Sequence, residues 1–204
     1  KAFSAVEPHF HDGGGAFVKE GSLYLKDSRV LQNNATYRGG GIYVENGKIT
    51  LISSSVMNNS ITRGSSGTNP SGGGGGGVAC ESTTVAIDQA DISHNQVVGR
   101  NARGGGGWFV SCNPVIHASQ WRHNYAQGRG GGIYFGKMSF PHIGVYSTFE
   151  NNYAMASGGA ISCEQCTGFD MKRSMLAFNT ALMDGGGIAF TETGAGIYTT
   201  IRHV

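Results

Sequence analysis

The chain has 204 residues, enough for one elongated domain with a continuous core, and carries 35 glycines, 14% charged residues and a net charge of +2. That near-neutral balance gives no electrostatic reason for nucleic acid or an anionic membrane, and no apolar run approaches the roughly 18 residues of a membrane span. Glycine this abundant without a three-residue period excludes collagen, and hydrophobic residues (39%) that recur in register exclude a disordered chain.

In chain order, glycine triplets or a close relative recur at Gly13-Gly14-Gly15, Gly39-Gly40-Gly41, Gly75-Gly76-Gly77, Gly105-Gly106-Gly107, Gly130-Gly131-Gly132, Gly158-Gly159-Ala160 and Gly185-Gly186-Gly187. An asparagine closes each complete unit: Asn33, Asn59, Asn95, Asn124, Asn152 and Asn179. From the third triplet residue to that asparagine the count is 18, 18, 18, 17, 20 and 19, the regularity of an internal repeat.

The first predicted strand of each unit follows its triplet. Its inward positions are Ala16/Val18, Ile42/Val44, Val78/Cys80, Trp108/Val110, Ile133/Phe135, Ile161/Cys163 and Ile188/Phe190, the alternation of a strand with one buried face. A second strand carries Leu23/Leu25, Ile49/Leu51, Val85/Ile87, Val115/Ile116, Ile143/Val145 and Phe169/Met171. A third, three residues before the asparagine, contributes Val30, Val56, Ile92, Trp121, Phe149 and Leu176. Units of about 25–30 residues with three short strands each close one turn, and every strand pairs with its copy in the next coil. The predicted fold class is therefore all-β, a right-handed parallel β-helix (solenoid) of about seven coils, roughly 30–35 Å long at the usual strand spacing.

The triplets allow positive φ and close backbone approach. The asparagines are expected to form a ladder, taking left-handed turns and bonding the backbone amides of adjacent coils. Residues 63–74 (RGSSGTNPSGGG) read as a surface loop inserted between two in-register coils. The chain opens on Lys1 and both ends fall within a repeat, so 1–204 is expected to be a single β-helix segment of a longer protein. Any targeting signal or membrane anchor would then lie outside it.

Gly158-Gly159-Ala160-Ile161 and Phe149-Glu150-Asn151-Asn152 match GGA-[ILV] and FxxN literally, and the other units relax them, with GGG for GGA and Val, Ile, Trp or Leu for Phe. In this the chain resembles the chlamydial polymorphic outer-membrane protein family of surface-exposed β-helical adhesins and autotransporter passengers. The resemblance covers nearly the whole chain. It implies the fold, an extracellular or cell-surface location and an adhesive role.

Candidate chemistry is sparse. There is no GxxxxGK[ST], GxSxG or HExxH, and the triplets head strands rather than helices. Parallel β-helices that degrade polysaccharides need clustered carboxylates, but Asp12, Asp27, Asp88, Asp91, Asp170 and Asp184 fall on scattered coils. Asp88 and His117 share a register position in consecutive coils without a second carboxylate or nucleophile, and read as a surface pair. His94 and His123, each just before a ladder asparagine, read as a stacked pair without a third metal ligand. Arg122 and Glu150 read as an exposed ion pair. The chain is accordingly read as non-catalytic, with no cofactor and no metal site.

The outward position of the first strand is more informative. It holds Phe17, Tyr43, Phe109 and Tyr134, an aromatic face suited to sugar or protein partners, with cross-strand stacking as the alternative use. Arg38, Arg103 and Arg129 precede triplets and would flank that face, favouring an acidic glycan or protein. Expected partners are other protein subunits or surface glycans. Asn34 and Asn58 lie in N-glycosylation sequons. Cys163 and Cys166 are expected to form a local disulfide and Cys80 with Cys112 a second between neighbouring coils, with buried free thiols the competing account of Cys80. The function that follows is adhesive or structural, in a filament, wall or appendage; the alternative is a glycan-binding or polysaccharide-degrading module.

Overall fold

The computed structural model describes residues 12–62, 73–99, 101–191 and, as backbone alone, 199–202. The expected loop at 63–74 lies outside them except for Gly73 and Gly74. All regular structure among the described residues is β, and every strand pair is parallel. The first turn consists of β1 (Ala16–Lys19), β2 (Ser22–Lys26), β3 (Arg29–Leu31) and β4 (Asn34–Ala35). Copies of these four stack into two seven-stranded and two six-stranded sheets. The molecule is a parallel β-solenoid of about six turns with a seventh begun, close to the seven coils counted from the triplets.

There are four strands per turn rather than three. The fourth follows the asparagine and buries one apolar residue per coil: Ala35, Ile61, Val97, Ala126 and Ala154. With only one apolar side chain, usually alanine, this strand has no alternation to read. Ala35, Ile61 and Val97 pack with Ala102 as a small second core.

In the fourth coil the first strand sits one residue away from its expected phase. Gly107 pairs with Val78 and Ile133, Trp108 with Ala79 and Tyr134, and Phe109 with Cys80 and Phe135. Hence Phe109 points inward and Trp108 outward, the reverse of the sequence expectation. The run there is four glycines long, and Gly104 (φ +67°) occupies the left-handed first place that Gly39, Gly75 and Gly130 occupy elsewhere. Counted from Gly106, the spacing to Asn124 becomes 18, as in the first three units. Packing explains the shift. A Cβ on Gly107 would lie 2.8 Å from the Phe109 ring and 2.9 Å from the Trp121 ring, so these rings fill the space that isoleucine or valine fills in other coils.

The second strand needs a similar correction. Val85 pairs with Pro114 and Ile87 with Ile116, leaving Val115 outward and 41% exposed. In the next coil Pro141 and Ile143 are buried, whereas Val145 is only half-buried. A proline reads locally as a strand breaker, which displaced the expected phase.

The ladder asparagines bond from coil to coil. Asn59 Oδ1 accepts from the backbone N–H of Asn33 (2.9 Å) and from its Nδ2 (3.0 Å). Asn59 Nδ2 donates to the Val30 carbonyl (2.9 Å) and to Asn95 Oδ1 (3.1 Å). The pattern repeats through Asn95, Asn124, Asn152 and Asn179. The left-handed residue is not the asparagine but its predecessor: Gln32, Asn58, His94, His123, Asn151 and Phe178 all have φ between 52° and 58°. The kink thus frees the asparagine side chain to turn inward. A second polar column, five residues before each asparagine, holds Ser28, Ser54, Ser119, Ser147 and Ser174, broken by Ala90. Ser54 Oγ accepts from Ser28 N (3.2 Å) and Ser119 Oγ from Ala90 N (3.1 Å), so this column bonds two pairs of neighbouring coils.

Between these corners one core runs the length of the stack. Its early coils are aliphatic, with Ile42, Val44, Ile49, Leu51 and Val56; later coils interleave aromatic rings. Phe109 stacks on Phe135 at 5.6 Å, and Trp121 on Phe149 at 6.3 Å. Each such pair contributes about 0.5–1.5 kcal/mol beyond the burial itself.

Candidate functional site

The register puts seven residues in one outward column on the first sheet: Phe17, Tyr43, Ala79, Trp108, Tyr134, Ser162 and Ala189. Phe109 does not belong to it. Phe17 is 51% exposed and stacks on Tyr43 at 5.7 Å, but Tyr43 is 0% and Tyr134 2% exposed. The expected open aromatic face is therefore closed over for most of its length.

Arginines cover it. Arg38 lies over the rings of Tyr37 (5.0 Å), Tyr43 (5.3 Å) and Trp108 (5.7 Å), and Arg103 over Tyr134 (4.8 Å). Glutamates two places further along the strand hold those cations. Glu81 meets Arg38 at 3.0 Å, and Glu164 meets Arg129 at 3.1 Å and Arg103 at 3.4 Å. Tyr43 accepts a hydrogen bond from Arg38 and donates to Glu81. Tyr134 accepts from Arg103 (2.9 Å) and donates to Glu164 (2.7 Å). Burial pushes both phenols well above their usual range, so they stay neutral donors. Burial also pushes the Glu164 carboxyl up, but the Tyr134 hydrogen bond and the charges of Arg103 and Arg129 outweigh it and hold the group below the ordinary carboxylate value.

Beside this network opens a cleft of about 390 Å³, lined among the described residues by Arg38, Glu81, Arg103, Trp108, Val110, Tyr134, Lys137, Glu164 and Gln165. It exists because the third coil is small here. Ala79 fills the aromatic position, and Gly74 stands where Arg38, Arg103 and Arg129 stand in other coils. Glu81, Glu164 and Lys137 were absent from the sequence-derived candidates. The glutamates had a legible signal, a first-strand column that reads Lys19, Glu45, Glu81, Val110, Gly136, Glu164 and Thr191. Glu45 and Glu81 are register partners, so two carboxylates do align, contrary to the expectation that the acids are scattered.

The other candidates stay apart. Asp88 and His117 are register partners, and the His117 ring lies against the backbone of Gly144. His94 and His123 stack at 4.9 Å with ring planes 25° apart, so their nitrogens run parallel rather than converge. No group of three or more His, Cys, Asp or Glu suited to a metal occurs among the described residues. Arg122 pairs with Asp91 (2.8 Å), one coil back, rather than with the expected Glu150. Asn34 and Asn58 are exposed, and Asn34 Oδ1 accepts from Ser60 Oγ (3.0 Å), the hydroxyl of the second sequon. Cys80 is bonded to Cys112 and Cys163 to Cys166.

Residues 146–164 match the Chlamydia polymorphic membrane protein repeat, the stretch that contains both literal motifs. No curated protein and no solved structure matches the chain. Repeat and fold together fit a protein of the cell surface. The chain is a parallel β-solenoid in which one stretch, residues 146–164, matches the Chlamydia polymorphic membrane protein repeat.

Proposed function

We propose that this chain is a non-catalytic part of a cell-surface protein, in which the solenoid serves as an adhesive or structural stack. The observation that carries the reading is the state of the carboxylates beside the cleft. Glu164 is engaged by Tyr134, Arg103 and Arg129, and Glu81 by Arg38 and Tyr43. Glu164, tied to two arginines and held below the ordinary carboxylate value, is a poor proton donor, and a glycoside-cleaving pair needs one acid kept protonated. The glycine, serine and asparagine corners add rigidity rather than reactivity. Partners in this reading are other protein subunits or surface glycans.

The test pairs binding with turnover. The purified segment is incubated with intact cells and with neutral and acidic polysaccharides. Retention on a cell or polymer surface without new reducing ends or unsaturated products is the expected result. Steady release of cleaved product, abolished in Glu164→Gln, would overturn the non-catalytic reading.

A further inference from the structure

We propose that the cleft spanning the third to sixth coils is a binding site for a carboxylate-bearing saccharide, seated between Trp108, Lys137 and the Arg103–Glu164 pair. The proposal rests on the surface role argued above only for where such a ligand is met; the chemistry of recognition is local to the cleft.

Three observations converge on it. The first is charge. The lining holds Arg38, Arg103 and Lys137 against Glu81 and Glu164, three cations to two anions. The arginines have carboxylate partners, but Lys137 has no ion pair among the described residues, and its ammonium is the group left to meet an incoming carboxylate. The second is an unmet donor. Trp108 is 4% exposed and lines the cleft, yet its indole Nε1–H has no hydrogen-bond partner, and neither has Arg38 Nε. Buried donors are nearly always paired, and of the two unpaired indoles, Trp108 and the core Trp121, Trp108 is the one that lines the cleft. The third is mixed lining. Tyr134, Trp108 and Val110 give apolar surface, while Glu81 and Glu164 have lone pairs for hydroxyl groups. A ligand with hydroxyls, one carboxylate and apolar C–H faces uses all of these. A cleft of about 390 Å³ lies at the small end of ligand pockets, sized for one or two sugar rings rather than for a flat protein surface.

The probes are glucuronic, galacturonic and N-acetylneuraminic acids, read by the Trp108 indole N–H signal in proton–nitrogen correlation spectra of the purified segment. The expected result is a saturable shift of that signal with at least one acidic sugar, none with glucose or galactose, and affinity weakened about tenfold or more in Lys137→Gln and Trp108→Phe. Trp121, inside the core, serves as the unshifted reference. Sulfate or acetate giving the same shift would reduce the site to an anion sink and overturn the proposal. So would an equal response to neutral sugars, tighter binding of an acidic peptide, or no shift with any acidic sugar. None of these outcomes touches surface location or the absence of turnover, which are measured separately.

Discussion

The guanidinium of Arg38 lies 5.7 Å from the ring centre of Trp108, although the two residues stand two coils apart. The approach depends on the intervening coil, which offers Ala79 at the aromatic level. Ala79 is fully buried between them. Ala79→Leu would push its branches into the space used by Tyr43, Trp108 and Arg38. Overpacking of this kind costs about 1–3 kcal/mol, visible as a lower urea midpoint. An unchanged midpoint would mean that the column is not closed over as described.

The glycines of one triplet are not equivalent. At the second place, a Cβ on Gly131 would lie 2.4 Å from the Gly159 carbonyl oxygen and 2.6 Å from the Tyr153 backbone, all main-chain atoms that cannot yield. At the third place the solenoid already tolerates Ala160 in another coil. A Cβ on Gly132 would meet one main-chain atom this closely, the Ala160 carbonyl oxygen at 2.6 Å, so Gly131→Ala is expected to destabilise by several kcal/mol and Gly132→Ala by less, measured by thermal unfolding. Equal effects would contradict the register.

Removing a ladder residue orphans groups in the preceding coil. Asn124→Ala takes an acceptor from Asn95 N–H (3.0 Å) and a donor from the Ile92 carbonyl (2.9 Å), all of it buried. The expected cost is about 3–5 kcal/mol. Asn33, half-buried in the first described coil, should cost about 1–2 kcal/mol on the same change. Chemical denaturation of the two variants makes the comparison.

Acid should loosen the cleft. The folded-state carboxyl of Glu164 lies below its ordinary value, so its contribution is present above pH ~4.3 and disappears as pH falls through the lowered folded value. Glu164→Gln is expected to melt earlier than the unaltered protein at neutral pH, with the gap closing as the pH falls through the lowered folded value. A gap that stays constant from neutral to acid pH would show that the charge of Glu164 is not what the arginines hold.

Much of the fold was legible because the repeat is written in large, obligatory signals. Positive-φ glycines, the inward pairs of the first strand and the asparagines each answer to one physical demand, so they recur at fixed offsets. The failures came where a demand was met by an unusual residue. Gly107 replaced a branched aliphatic because Phe109 and Trp121 fill its space, and Pro114 stood in a strand. The fourth strand hid behind single alanines. The serine column was visible in the spacing and went unread. For the cleft, the arginines were legible, as was half of the aromatic column. Its closure was not, because it depends on the smallness of Ala79 and Gly74, and an absent side chain leaves no pattern. Lys137 lies beyond the regular strand, where register ceases to guide.

The surface role is tested most directly by labelling intact cells of the source organism with an antibody raised against the folded segment. The account expects labelling without permeabilisation, lost on brief protease treatment of the intact cells. Labelling that appears only after permeabilisation, and resists external protease, would contradict it.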